Sequence, residues 1–92
     1  MTSSVENLKQ KTTKEDIEND IREVISKILQ IEKDSIALDL SFTEDLQLDS
    51  LDMVEFIMAI ETKYNIHIPD EEASKLVTVK SVVEYIYNKI KA

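Results

Sequence analysis

The stretch TEDLQLDSLDMVEF (residues 43–56) sets one hydroxyl, Ser50, between two carboxylates, Asp49 and Asp52, with Glu44, Asp45 and Glu55 nearby and no basic residue among them. Several chemistries could use such a cluster. A nucleophilic serine needs a base to take its proton. The single histidine, His67, lies far along the chain beside Pro69, and no glycine-bearing elbow surrounds Ser50. The adjacent carboxylates also oppose charge on the serine oxygen, so hydrolase chemistry is disfavoured and His67 reads as a surface or loop residue. An EF-hand calcium loop needs acids at alternate positions, a glycine at the sharp turn and a glutamate at the twelfth place. Glu44 to Glu55 has the right length, but the third and fifth places are Leu46 and Leu48 and the glycine place is Asp49. Paired carboxylates can act as acid and base, yet these are expected along an exposed helix and not in a cleft. Phosphate loops built on glycine are impossible in a chain with no glycine.

What remains is a hydroxyl offered to another enzyme. A serine at a helix N-terminus stands at a defined, reachable place. A phosphate ester formed there lies near free backbone N–H groups and the positive end of the helix dipole. Flanking acids would mark the position for a basic partner.

Four helices are expected to position this serine. Lys14 to about Gln30 carries Ile17, Ile21, Val24, Ile25, Ile28 and Leu29 at helical spacing. Thr13 can cap its start, Glu15 and Asp16 suit its positive end, and Glu18 and Arg22 form an i,i+4 pair. Residues 31–48 lose that period. Their scattered apolar residues (Ile36, Leu38, Leu40, Phe42, Leu46) predict a long loop pinned to the core, with a short strand as the other reading. A second helix is expected from Asp49 or Ser50 to about Lys63, ended by Asn65. Its apolar residues cover more than half its circumference, which requires packing on several sides or an apolar guest. Met53, Phe56, Met58 and Tyr64 on it are most simply core. Pro69 opens a short third helix with Asp70, Glu71 and Glu72 at its positive end, and Thr78 caps a fourth bearing Val79, Val82, Val83, Ile86, Tyr87 and Ile90 on one face. Lys89 and Lys91 stand at its negative end. The fold class is all-α: a four-helix bundle with a long loop after helix one and a short third helix. Residues 1–12 are read as a flexible tail and 13–92 as the domain.

Composition narrows the function. At 92 residues the chain makes one small domain, whose marginal core should use nearly every apolar residue of the helical stripes. Nineteen acids against 11 bases give a net charge of −8, which disfavours nucleic acid as a partner. From Asp34 to Thr62 there are eight acids (Asp34, Asp39, Glu44, Asp45, Asp49, Asp52, Glu55, Glu61) and no Lys or Arg, so this segment holds the entire net charge. It is either a solvated face that keeps the protein in solution or a docking surface that steers basic partners. The absence of cysteine removes disulfides and thiolate chemistry. No apolar run is long enough to span a membrane, and the start, MTSSVENLKQKTT, lacks a signal-peptide core.

DSLD (Asp49–Asp52), preceded by SFTEDL (Ser41–Leu46) and followed by VEFIMAIETKY (Val54–Tyr64), IPDEEASKL (Ile68–Leu76) and TVKSVVEYI (Thr78–Ile86), resembles the acyl carrier proteins of dissociated fatty-acid synthesis over about residues 14–90. DSL alone is a weak motif; with IPDEEA at this spacing it is specific. The resemblance implies a carrier with no catalysis of its own. It implies that a phosphopantetheinyl transferase attaches 4′-phosphopantetheine from coenzyme A to Ser50, and that acyl groups ride as thioesters on the arm's thiol. It also implies a docking helix through Asp49, Leu51, Asp52, Met53, Glu55, Met58 and Glu61, a second docking edge at Ile68, Asp70 and Glu71, and an apolar interior that shelters the acyl chain. The expected partners are fatty-acid synthesis and acyltransferase enzymes with basic patches, met by a monomer in the cytoplasm or an organelle interior. Gln47 and Leu48 stand where the family commonly has glycine, which implies a different loop backbone at Gln47. Thr62, Lys63 and Ser74 stand where many members have acids, so the far end of the docking face is less acidic. The alternatives are a specialised carrier (polyketide, aminoacyl or other loading) and an unmodified helical interaction domain.

Overall fold

The computed structural model describes residues 13–91, and among these described residues are four α-helices: α1 (Lys14–Leu29), α2 (Ser50–Tyr64), α3 (Asp70–Ala73) and α4 (Val79–Lys91). α1 begins at Thr13, whose hydroxyl accepts from the Asp16 N–H while the Asp16 carboxylate accepts from the Thr13 N–H. This reciprocal cap satisfies two of the backbone donors that a helix start leaves free. Ile17, Ile21 and Ile25, four residues apart, form one stripe and are completely buried. Gln30 ends the helix in the left-handed conformation. α1 packs against both α2 and α4, so its stripe is the axis of the core.

The core gathers that stripe with Phe56 and Ile60 of α2 and Val79, Val82, Val83 and Ile86 of α4. Ile90, expected on the same face of α4, is exposed at the end of the stripe. Thr78 caps α4 by accepting from the Ser81 N–H at 3.2 Å, and Ser81 Oγ accepts the Thr78 N–H at 3.0 Å. Tyr64 closes α2 onto α1 by donating to Asp20 at 2.5 Å. The phenol's pKa is raised, first by burial and then by that bond to a carboxylate. The tail, residues 1–12, lies outside the described residues.

The loop after α1 is pinned, and by more than its apolar anchors. Ile36 and Phe42 are buried, and so is Leu48, which was not among the expected anchors. A single 3-10 turn spans Lys33–Ser35. Arg22 Nε donates to the Ile36 carbonyl at 2.7 Å and holds the first half against α1. The second half runs beside the entry to α4: Phe42 N–H donates to Val77 O, Val79 N–H to Leu40 O and Lys80 N–H to Leu38 O. The short-strand reading reduces to one antiparallel bridge, Ser41 with Thr78. These bonds satisfy backbone groups that a buried loop would otherwise leave unpaired. They hold fixed the segment that leads into Ser50.

Candidate functional site: an exposed serine beside an apolar cleft

Asp49 is the N-cap of α2 and Ser50 its first residue. Asp49 Oδ1 accepts the Asp52 N–H at 2.8 Å, and Asp52 Oδ2 accepts the Asp49 N–H at 3.3 Å. One oxygen of each of these two carboxylates is thus engaged in the cap. Of the first-turn donors, this leaves the N–H groups of Ser50 and Leu51 outside the capping box. Ser50 is exposed. Among the described residues, no group is hydrogen-bonded to its Oγ.

The apolar arc of the helix beyond the serine is only partly core, and of the two expected arrangements, packing on several sides or room for an apolar guest, it has elements of both. Phe56 and Ile60 are fully buried, but Leu51, Val54 and Met58 are 68, 53 and 59% exposed. Met53, Ile57 and Tyr64 are half-buried. Met58 is therefore a surface residue, not the core residue its helical spacing suggested. Helical period reports which side chains share a face, not whether another element covers that face. Here α1 covers one side of α2, and much of the remaining arc borders a cleft.

That cleft has a volume of about 730 Å³ and lies between α2 and the segment of α3 and its flanks. Met53 and Val54 line it on one wall, one helical turn from Ser50, and Ile68, Ala73 and Leu76 on the other. Its size falls within the range of ligand pockets. At its far rim Glu61 Oε2 accepts the Ile68 N–H at 2.8 Å and stands 3.4 Å from His67 Nδ1. Glu61, read from sequence as a docking acid, thus ties the α2–α3 connection to α2. His67 is an exposed loop residue, as expected. On the other side of α3, the Tyr85 hydroxyl donates to Glu72, and the phenol's pKa is pushed up to about 12 by burial and by that bond.

Asp52 and Asp70 are half-buried, while Asp49, Glu55 and Glu71 are exposed. Ile68 is buried and lines the cleft, so only Asp70 and Glu71 of the second edge stand outward. Gln47, two residues before the cap, has φ 55, the left-handed conformation that costs glycine least. No group of three or more His, Cys, Asp or Glu among the described residues is placed to hold a metal ion.

Comparison with known proteins decides what this arrangement belongs to. Residues 19–86 match the family model described as "Phosphopantetheine attachment site". The acyl carrier protein of Buchnera aphidicola subsp. Schizaphis graminum is 51% identical over 75 residues, covering 82% of this chain and 95% of that protein. The chain belongs to the acyl carrier proteins. The acyl carrier protein of Wolinella succinogenes is 50% identical over 68 residues, 74% of this chain and 90% of that one. That of Campylobacter hominis is 46% identical over 69 residues, 75% and 87% respectively. Membership settles the class of function: the protein is an acyl carrier, and its cofactor is 4′-phosphopantetheine. A carrier of this type takes its group from a transferase and serves synthesis enzymes. No helix among the described residues is long and apolar enough to cross a membrane.

Proposed function

We propose that Ser50 Oγ is the attachment point of 4′-phosphopantetheine and that the protein shuttles growing acyl chains between fatty-acid synthesis enzymes without catalysing a reaction itself. The observation that carries this reading is the state of the serine: exposed, unbonded at Oγ and first in α2. The residues fit the group. An ester at this oxygen projects outward without displacing a buried side chain. The N–H groups of Ser50 and Leu51, which the cap does not use, lie in the same turn as the phosphate's oxygen and favour an anion there. When bound, the group supplies a flexible thiol that takes the acyl chain as a thioester.

The chain's own residues do the rest. Asp49, Asp52, Glu55 and Glu61 on α2, with Asp70 and Glu71 on α3, present the negative edge to a basic patch on each partner enzyme. Leu51, Met53 and Met58 provide apolar contact among those acids, and Ile68 forms the cleft wall behind the second edge. Single exposed ion pairs give about 0–1 kcal/mol each, so docking is weak and fast, as a shuttle requires. The cleft receives the acyl chain between encounters, and each buried CH₂ contributes about 0.8 kcal/mol. That the relatives are bacterial proteins fits a carrier working in the cytoplasm.

Intact-mass measurement tests the attachment. Incubated with coenzyme A and a carrier-protein transferase, wild type is expected to gain one phosphopantetheine and Ser50→Ala none. A Ser50→Ala protein that is modified, or a wild type that stays bare while a known carrier is modified alongside, sinks the assignment. Docking to the transferase is expected at micromolar affinity, about −8 kcal/mol, and to weaken as salt rises. Salt-independent binding would refute a charge-led encounter.

A further inference from the structure

The walls of the cleft grade from exposed to buried. Val54, Met58 and Val77 stand exposed at its rim, while Phe42, Ile68 and Leu76 are at most 7% exposed. Phe42 is the largest of the buried three, and its ring meets the Phe56 ring at a centroid distance of 5.1 Å. Phe56 is completely buried and does not reach the cleft. Phe42 therefore stands between the open space and solid core. Its backbone is held on both sides: its N–H donates to Val77 O at 3.0 Å and its carbonyl accepts from the Leu48 N–H at 2.8 Å. Ile68 and Leu76 belong to the connections around the four-residue α3. That wall spans few residues, whereas Phe42 is fixed by backbone bonds and by an aromatic neighbour.

We propose that Phe42 is the stop of the cleft and sets the longest acyl chain that can be sheltered. The inference rests on the reading of the cleft as the acyl shelter and adds which residue limits it. Methylene groups that pass the rim exchange water for apolar walls and stabilise the protein until the chain meets the Phe42 ring. Further methylenes stay in water and add nothing. The stop is steric, so a smaller side chain at this position deepens the cleft and a larger one shortens it.

The test uses the full chain bearing its arm, loaded with saturated acyl groups from butyryl to hexadecanoyl, and reads melting temperature against chain length. Wild type is expected to rise with length and then level off. Phe42→Leu, which keeps an apolar side chain, is expected to level off at a longer chain, and Phe42→Trp at a shorter one. Amide-exchange protection of Ile68 and Leu76 should follow the same lengths. Each variant is compared with its own unacylated form, so a lower baseline stability does not obscure the break point. A break point that stays in place in both variants overturns the role of Phe42 while leaving the shelter intact. A wild-type curve that is flat at every length removes the shelter itself, and the stop with it.

Discussion

α1 and α2 are both strongly apolar, and the fold treats them differently. Ile17, Ile21 and Ile25 of α1 are sealed between α2 and α4. On α2, Phe56 and Ile60 join that core, while Leu51, Val54 and Met58 face outward among Asp49, Asp52 and Glu55. Apolar area on α1 stabilises the fold. Apolar area on the outer side of α2 does not, and a small domain with little core to spare keeps it exposed. Exposed apolar side chains grouped in this way are a common mark of contact surfaces. The net charge of the chain sits on the same segment, so the face is both apolar and acidic, which suits brief encounters with basic partners.

Paired substitutions should break or sharpen this contrast most strongly. Ile21→Ala is expected to cost about 2–5 kcal/mol, because it removes a fully buried side chain and leaves a cavity. Met58→Ala, of comparable size change, is expected to alter stability by no more than about 0.5 kcal/mol. Urea unfolding of the two variants reads the difference directly. Equal losses would show that α2 is buried in solution by something its own helices do not provide. Met58→Ala and Leu51→Ala should instead weaken binding to the transferase by about 1 kcal/mol or more, roughly fivefold. Unchanged binding in both would leave the exposed arc without a role in docking.

A smaller effect separates the two tyrosine contacts by pH. Tyr64 joins α2 to α1 through Asp20, and Tyr85 joins α4 to α3 through Glu72. Both phenols hold their proton more tightly in the fold than in the open chain. For Tyr85 the ordinary value of 10.0 rises to about 12. The bound proton favours the native state, so this contribution is fully present below pH 10.0 and is lost as pH rises through about 12. Melting temperature against pH should therefore fall more steeply in wild type than in Tyr85→Phe across that window. Parallel curves would show that Tyr85 carries no such linkage. Because the Tyr85 hydroxyl is bonded to the short α3, its replacement by phenylalanine should loosen amide protection near Glu72 and leave α1 unaffected.

These contrasts also mark how far the residues alone could be read. Thr13, Asp49 and Thr78 are caps because their side chains can accept backbone N–H bonds three residues on, a local property visible in the letters. The α1 stripe and the left-handed Asn65 are equally local. The exposure of Ser50 follows from its place at a helix start beside charged neighbours. The sidedness of α2 is not local: which part of a broad apolar arc is covered depends on where α1 and the pinned loop lie. The same holds for Glu61, whose partner, the Ile68 N–H, is seven residues away across a turn. The bonds from Leu38 and Leu40 to the entry of α4 join residues about 40 positions apart, and no sequence period records them.

Gln47 offers the smallest test, and it compares two ways of entering a helix. α1 is entered through Thr13 in an extended conformation, whereas the approach to α2 passes through a left-handed residue that is not glycine. For an L-residue the left-handed conformation costs about 1–2 kcal/mol, from contact between its Cβ and the backbone. The chain tolerates that cost because Leu48 is buried and its N–H is bonded to the Phe42 carbonyl, which leaves Gln47 little freedom to relax. Gln47→Gly removes the contact but also makes the unfolded chain more flexible, so the net gain should be about 0.5–1 kcal/mol. The rate of phosphopantetheine attachment should stay the same, since Leu48 and the Asp49 cap still place Ser50. A loss of stability would mean that the glutamine side chain itself holds the loop. A slower attachment at unchanged stability would mean that the strained backbone, and not the cap, aims the serine at its modifying enzyme.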